Sequence, residues 1–199
     1  MQTQGMTTRK TAAPAAQPKR EEDFGPADRA SLAHAVLEHL RLTGKTVAVA
    51  ESCTGGLVAA AFTDIPGASK AFAGGAVTYT NALKTELLGV PECLIAQHGA
   101  VSAEVAAAMA AGVAEKFGTD YGLATTGFAG PDGGTATDPV GTVYLGYHSP
   151  CGLWACRIRI DGDRAAVRAR AVSHALNWMR RKLKKYAVED IRIGDLRCD

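Results

Sequence analysis

The sequence predicts an α/β fold, a three-layer α/β/α sandwich with a mixed β-sheet in a single domain. Short β-favouring runs alternate with segments of helical periodicity, which indicates strands covered by helices on both faces. Two of these runs end in Gly-framed polar segments, residues 50–56 and 126–134. Two further runs flank Ser149 and Pro150 and predict an antiparallel hairpin. The hairpin makes the predicted sheet mixed rather than parallel.

Composition limits the classes of protein and partner. The chain has 199 residues, of which 47% are hydrophobic, with a formal net charge of +2. That is enough chain for one compact soluble domain with tails. The small charge argues against a nucleic-acid partner, and no apolar run reaches the roughly 18 residues of a membrane span. A homo-oligomer is left open.

The two ends of the chain differ from its middle. Residues 1–25 mix polar, charged, Ala and Pro residues without periodicity, which predicts a disordered N-terminal tail. They lack the apolar run of a secretory signal. Residues 26–187 carry the periodic pattern of the domain, and residues 188–199 are interpreted as a C-terminal tail.

The five cysteines form no C-x-x-C motif. Their odd number and spacing fit neither a metal site nor a secreted disulfide framework, so we expect reduced intracellular thiols. A pairing of Cys151 with Cys156 across one predicted strand remains an alternative.

The first helices and strand are predicted from a capping residue, from the spacing of apolar residues and from a proline that ends a helix. Asp28 caps a helix that extends to about residue 43, because apolar residues recur there at helical spacing. A strand over residues 46–50 follows. Residues 57–62 read as a buried helix that stops at Pro66.

The middle elements are read in the same way. Residues 72–79 form a strand, and residues 81–88 a short helix that Gly89 ends. Ser102 caps an Ala-rich helix that extends to Phe117.

The last elements complete the sheet. Residues 121–125 are predicted as a central strand, and residues 140–147 and 152–160 as the hairpin. A basic amphipathic helix spans about residues 162–186. A nearly balanced net charge favours an exposed outer helix over a membrane or nucleic-acid contact.

Ser52 is the first candidate for chemistry. It stands where a strand gives way to a helix, a position that is usually an N-cap. The alternative is a nucleophile whose oxyanion meets the amides of Thr54, Gly55 and Gly56 at the helix N-terminus. Cys53 is the rival nucleophile; because side chains alternate along extended chain, the two should face opposite ways.

A serine nucleophile needs a base, and Lys84 is the candidate. It falls in the first turn of a helix that Thr80 or Asn81 caps, where the helix dipole disfavours a cation. Burial would lower the pKa of Lys84 further toward neutrality. The alternative is a solvated surface lysine. Tyr79 is either a sheet aromatic or a donor to the nucleophile.

The segment after the central strand is the third candidate. Residues 127–134, hereafter the Gly127 loop, contain four Gly and one Pro, and Thr126 precedes them. Its spacing fits neither a P-loop nor a dinucleotide fingerprint. A row of amides there binds one phosphate or oxyanion, or else the loop is only a tight connection. Arg164 and Arg168, one helical turn apart, are read as phosphate ligands or as salt-bridge partners. His98 is expected to make local turn bonds.

Six motifs in this order resemble the C-terminal domain of the CinA (competence/damage-inducible protein A) family, in its stand-alone form, nicotinamide mononucleotide deamidase. The resemblance covers about residues 28–182. The motifs are AESCTGG at 50–56, VTYTN at 77–81 with Lys84, QHGAVS at 97–102, GFAGPDGG at 127–134, PVGTV at 139–143 and GDR at 162–164.

The resemblance implies a bacterial cytoplasmic hydrolase of NAD metabolism, an amidohydrolase in pyridine-nucleotide salvage. It would convert nicotinamide mononucleotide and water to nicotinate mononucleotide and ammonia, with no metal or other cofactor. It carries the nucleophile onto Ser52 and places Tyr79 and Lys84 in the catalytic site. Phe128, where Ile is common, and Thr80, where Ser is usual, depart from the family pattern.

The predicted substrate site combines both Gly-framed segments. The 5′-phosphate is assigned to Arg164 or to residues 130–134. The oxyanion is assigned to amides of residues 54–56 or of the Gly127 loop. Two alternatives stay open, a non-catalytic nucleotide-binding module and a hydrolase of another carboxamide. The predicted substrate-binding residues are Thr54, Gly55, Gly56, Thr126, Gly127, Gly130, Gly133, Gly134 and Arg164.

Overall fold

Helices and strands alternate along the chain in the computed structural model, which describes residues 26–185, 188–194 and 196. The predicted N-terminal tail, residues 1–25, lies outside these described residues. The strands are β1 (Val47–Glu51), β2 (Phe72–Val77), β3 (Tyr121–Gly127), β4 (Thr142–Ser149), β5 (Gly152–Arg159) and β6 (Ile191–Ile193). The helices are α1 (Pro26–Thr43), α2 (Leu57–Thr63), α3 (Asn81–Leu88), α4 (Glu92–His98), α5 (Ala103–Phe117) and α6 (Arg164–Leu183).

One mixed sheet joins the six strands of the described chain in the order β2-β1-β3-β4-β5-β6. Strand β1 pairs in parallel with both β2 and β3, whereas the β3–β4, β4–β5 and β5–β6 pairs are antiparallel. The predicted mixed sheet and hairpin are confirmed. Because Glu51 lies opposite Thr125 in the β1–β3 register, both Gly-framed segments leave the same edge of the sheet.

Helices cover both faces of the sheet, which confirms the three-layer architecture. Helices α1, α2 and α6 enclose one apolar cluster, and α3, α4 and α5 enclose the other. Helix α5 lies very close to the sheet: a Cβ on Gly122 would be 1.9 Å from the Ala110 oxygen. No helix in the described ranges is long and apolar enough to cross a membrane.

The predicted caps Thr80 and Ser102 are confirmed, whereas Asp28 is not a cap, because α1 begins at Pro26 and Asp28 lies within its first turn. Thr80 Oγ1 accepts from the Leu83 N–H at 3.3 Å, and Ser102 Oγ accepts from the Val105 N–H at 3.3 Å. Asp163 caps α6, so that helix begins two residues later than expected and ends at Leu183.

One α-helix and one strand were not predicted. Helix α4 has seven residues directly after Pro91, too short for a clear helical period. Strand β6 lies within residues 188–199, which we expected to be a C-terminal tail, and pairs with Leu153–Ala155 of β5. Its three residues give no alternation to detect, and pairing with an existing strand edge stabilises it.

The cysteines are not all reduced. Cys53, Cys151 and Cys156 are free thiols, so no bond joins Cys151 to Cys156. Cys93 is disulfide-bonded, and for this residue the expectation of a reduced thiol is wrong.

Candidate active site

Ser52 lies immediately after β1, at the start of the turn formed by residues 52–56, hereafter the Ser52 turn. Its Oγ is 3.4 Å from the Nζ of Lys84, which comes from the first turn of α3. The Ser52 N–H donates to the Thr125 oxygen at 2.9 Å, which fixes the residue to the end of β3. The structure thus brings the predicted nucleophile and base together from two separate segments of the chain.

Glu51 organises the entry into α2. Its buried carboxylate accepts hydrogen bonds from the N–H groups of Gly56, Val58 and Ala59 at 2.8 to 3.0 Å. The Thr54 hydroxyl donates to the same carboxylate at 2.6 Å. A carboxylate at a helix N-terminus satisfies amides that have no partner within the helix and interacts favourably with the dipole. The sequence motif assigned Glu51 no role; its part in the site is to hold the turn that carries Ser52.

These bonds change the interpretation of the oxyanion site. The Gly56 N–H is bound to Glu51, and the Gly55 N–H donates to the Ser52 oxygen at 3.2 Å. Gly55 and Gly56 therefore do not fit the predicted role as amide donors to a substrate. The Cys53 and Thr54 N–H groups, in contrast, have no acceptor within the residues that the structure describes. Both residues are buried, and only Cys53 lines the pocket in front of Ser52, so its N–H is the amide left available for a ligand atom there. Thr54, a predicted substrate-binding residue, does not line this pocket.

Lys84 is almost completely buried, with 1% of its surface exposed. Its Nζ donates to the Thr78 oxygen at 3.0 Å. Burial is the main reason that the pKa of Lys84 is lowered below its ordinary value. A lysine with a lowered pKa holds more of the neutral amine that takes a proton from a hydroxyl.

Cys53 is a poor nucleophile in this position. Its side chain packs within the apolar cluster on the α1, α2 and α6 face of the sheet. Burial raises the pKa of Cys53 to about 12, so its thiolate is scarce near neutral pH. Ser52, which faces Lys84, is the better placed of the two nucleophiles.

A pocket of about 220 Å³ opens in front of Ser52. Seven of the candidate residues from the sequence form part of its wall. They are Ser52, Cys53, Tyr79, Lys84, Thr126, Gly127 and Arg164.

Arg164 joins two sides of the pocket mouth. It donates to the Tyr79 hydroxyl at 2.8 Å and to the Gly130 oxygen at 2.9 Å. Gly130, Gly133 and Gly134 do not line the pocket. A Cβ on Gly134 would be 2.7 Å from the Val140 nitrogen, so this glycine allows the loop to close on itself. The three glycines expected to cradle the phosphate therefore lie outside the pocket wall to which Arg164 belongs.

Arg168 and His98 lie outside the pocket wall. Arg168 donates to the backbone oxygens of Cys53 and Thr54, so neither predicted role, phosphate ligand or salt-bridge partner, describes its contacts. His98 Nδ1 faces Glu104 at 3.6 Å, a local contact next to the Ser102 cap.

Several lining residues were missed by the sequence reading of side-chain chemistry. Ala100 and Val101 belong to the QHGAVS segment, whose chemical signal is the histidine. Phe128 and Ala129 belong to the Gly127 loop, whose predicted function depends on its amides. Asn81 is predicted only as a cap. Apolar and small side chains carry no chemical signal, and only the fold shows that they are wall residues.

No group of three or more His, Cys, Asp or Glu side chains suited to a metal ion occurs in the described part of the chain.

The fold and the site together define an α/β domain with a buried Ser–Lys pair at the edge of its sheet. The chain belongs to the CinA family: the model of the CinA C-terminal domain matches residues 29–183.

Relatives support the same family. A CinA-like protein of Myxococcus xanthus is 52% identical over 157 residues, which are 78% of this chain and 37% of that protein. One from Desulfotalea psychrophila is 48% identical over 164 residues, 82% of this chain and 39% of that protein. The chain therefore spans less than half the length of these curated relatives.

Solved structures are similar over most of the chain. A competence/damage-inducible protein from Agrobacterium tumefaciens has a TM-score of 0.76 and 37% identity, and the match covers 81% of this chain and 99% of that chain. A CinA superfamily protein from Klebsiella pneumoniae has a TM-score of 0.76 and 33% identity, covering 79% and 99%.

Proposed function

We propose that this protein is an amidohydrolase that converts nicotinamide mononucleotide and water to nicotinate mononucleotide and ammonia. The observation that carries the proposal is the Ser52 Oγ–Lys84 Nζ contact of 3.4 Å at the base of a small pocket. A hydroxyl beside a buried amine is the arrangement that activates a serine nucleophile without histidine. The likeness to stand-alone deamidases of the CinA family supplies the choice of amide.

The first step forms a tetrahedral intermediate bonded to Ser52. Lys84 takes the proton of Ser52 as Oγ attacks the carboxamide carbon. The C=O double bond opens, and its oxygen becomes an oxyanion. The N–H group of Cys53, which lines the pocket and has no acceptor within the described residues, is the proposed donor to it.

The second half releases both products. Lys84 gives its proton to the amide nitrogen, the oxyanion re-forms the C=O bond as the C–N bond breaks, and ammonia leaves the acyl-enzyme. Water then attacks the ester carbon while Lys84 accepts one of its protons. The C–O bond to Ser52 breaks, Lys84 returns the proton to Oγ, and nicotinate mononucleotide leaves.

The pocket wall suits a planar ring with an anionic extension. Phe128 and Val101 supply apolar surface for the pyridine ring. Arg164 brings a cation to the mouth, where a 5′-phosphate would replace the Gly130 oxygen as an acceptor. Tyr79, held by Arg164, borders the same opening.

A substrate panel tests the proposal. We expect the full chain to release ammonia from nicotinamide mononucleotide and to lose roughly 10- to 100-fold in kcat/KM with the riboside, which lacks the phosphate. Arg164→Ala should lower kcat/KM for the nucleotide by a similar factor and leave the riboside value almost unchanged. Arg170→Ala, an exposed change on the same helix, serves as the control.

The other outcomes distinguish the alternatives. Phosphate-dependent binding of the nucleotide without ammonia release would indicate a binding module. Faster hydrolysis of a carboxamide that lacks the nucleotide would show a hydrolase of different specificity.

A further inference from the structure

Arg168 holds the Ser52 turn from the side of α6. Its Nε donates to the Cys53 oxygen at 3.2 Å, and its Nη2 donates to the Thr54 oxygen at 3.0 Å. One planar guanidinium therefore fixes two successive peptide groups, because its donors form a rigid fork. These are the carbonyls of the two residues that directly follow the nucleophile.

The bonds to the carbonyls determine where an amide points. In a trans peptide the C=O and N–H groups point in opposite directions. The Cys53 oxygen is in the same peptide as the Thr54 N–H, so Arg168 directs that N–H away from α6. The Thr54 N–H has no acceptor in the described part of the chain.

The opposite side of the turn is held by Glu51. Its carboxylate binds the Thr54 hydroxyl and the Gly56 N–H, whereas Arg168 binds the carbonyls. The Ser52 turn is thus held by two charged groups: the Glu51 carboxylate accepts hydrogen bonds from its donors, and the Arg168 guanidinium donates hydrogen bonds to its carbonyl oxygens. Neither charged group lines the pocket.

The close approach of Arg168 to Gly55 is independent evidence that the Ser52 turn accommodates the guanidinium. A Cβ on Gly55 would be 3.2 Å from Nη2 of Arg168, and the residue has a φ of 60°. A side chain there would be strained and would press on the guanidinium. Glycine at this position keeps the approach of Arg168 open.

We propose that Arg168 is a positioning residue for the oxyanion site. It holds the Thr54 oxygen, and the N–H of the same peptide, that of Gly55, donates to the Ser52 oxygen, so the Ser52–Cys53 peptide is fixed with the Cys53 N–H ready for the oxyanion. This inference rests on the proposed function for its substrate. It differs from a phosphate-binding role, because the guanidinium has its acceptors within the protein. Donors fixed before the reaction avoid reorganisation in the transition state, so their loss lowers kcat more than it weakens substrate binding.

The test compares Arg168→Met and Arg168→Lys with Arg170→Met, the same change at an exposed arginine of α6. We expect kcat for nicotinamide mononucleotide to fall about 10- to 100-fold in Arg168→Met, with KM within about threefold of wild type. Arg168→Lys, which restores a cation, should lie between Arg168→Met and wild type. Arg170→Met should retain wild-type kcat. If Arg168→Met fails to fold, the Arg168→Lys comparison carries the test.

A second measurement separates this inference from the choice of substrate. A fluorophosphonate probe labels an activated serine, and its P=O oxygen occupies the oxyanion site. If wild type is labelled at Ser52 but does not hydrolyse the nucleotide, the proposed function fails and the labelling rates still test Arg168. Wild-type rates of labelling and turnover in Arg168→Met would overturn the inference, as would a raised KM with an unchanged kcat. A wild-type Ser52 that reacts with neither compound would overturn it as well.

Discussion

Ser52→Ala is expected to abolish ammonia release from nicotinamide mononucleotide, with a loss of roughly 10⁴-fold or more in kcat. The hydroxyl provides the atom that bonds to the substrate, and no nearby group replaces it. Lys84 faces Ser52 at 3.4 Å, and the change leaves the Ser52 turn otherwise intact. Binding of the substrate should therefore persist in the inactive variant, which calorimetry measures alongside the ammonia assay.

Cys53→Ala is the matched control at the neighbouring residue. Its thiol lies in the apolar cluster with a pKa raised to about 12 by burial, and its proposed contribution is the backbone N–H. We expect this variant to retain activity within about tenfold of wild type, the residual loss reflecting a small cavity. An active Ser52→Ala with an inactive Cys53→Ala would reverse the assignment of the nucleophile.

Lys84→Met is expected to have a comparably large effect on activity, about 10²- to 10⁴-fold in kcat/KM, since it removes the proposed general base. In wild type only the neutral amine accepts the Ser52 proton. We therefore expect kcat/KM to rise with pH through the pKa of Lys84 and to level off above it. Burial lowers this pKa below 10.5. This rise of kcat/KM with pH should be absent from the residual activity of Lys84→Met. A wild-type pH profile that lacks the rise would contradict the role of Lys84.

The same substitution should affect stability in a pH-dependent way. Below its folded-state pKa, Lys84 is protonated in both states, and the folded protein bears the full cost of a buried ammonium. That cost is relieved as pH rises from the lowered pKa toward 10.5, the unfolded value. Lys84→Met should thus gain roughly 1 to 4 kcal/mol in free energy of unfolding relative to wild type at low pH.

The gain should decline as pH rises through that window. Urea unfolding of both proteins at about pH 6 and about pH 10 measures it. The variant also loses the hydrogen bond to the Thr78 oxygen. That loss changes the difference in free energy of unfolding between the two proteins by the same amount at each pH, so it does not alter how the difference varies with pH. A difference that is independent of pH would contradict the burial of a titrating amine.

The sequence predicted the elements whose signals are local. Ser102 and Thr80 were recognised as caps because a hydroxyl before a helical period has one common use. The pairing of Ser52 with Lys84 was also predicted, through residue chemistry and the family motifs. The sequence did not predict the hydrogen-bond partner of each backbone N–H and C=O group. Bonds between segments that are distant in sequence produce no recognisable sequence pattern.

The oxyanion site shows this limit. The glycines of the motif suggested that Gly55 and Gly56 expose their amides. The fold instead uses these glycines for a tight turn, and the Gly56 N–H donates to Glu51. Arg168, 114 residues from Thr54 in sequence, holds the carbonyls of the turn. Neither interaction is visible before α6 is placed against β1 and α2.

The most direct test of the Ser52 mechanism is mass spectrometry of the wild-type protein, acid-quenched during turnover of nicotinamide mononucleotide with and without hydroxylamine. The mechanism predicts a nicotinoyl-nucleotide ester on the peptide that contains Ser52, absent from Ser52→Ala. It also predicts a hydroxamate product when hydroxylamine is present. Turnover that gives an adduct on Cys53, or neither a Ser52 adduct nor a hydroxamate, would contradict it.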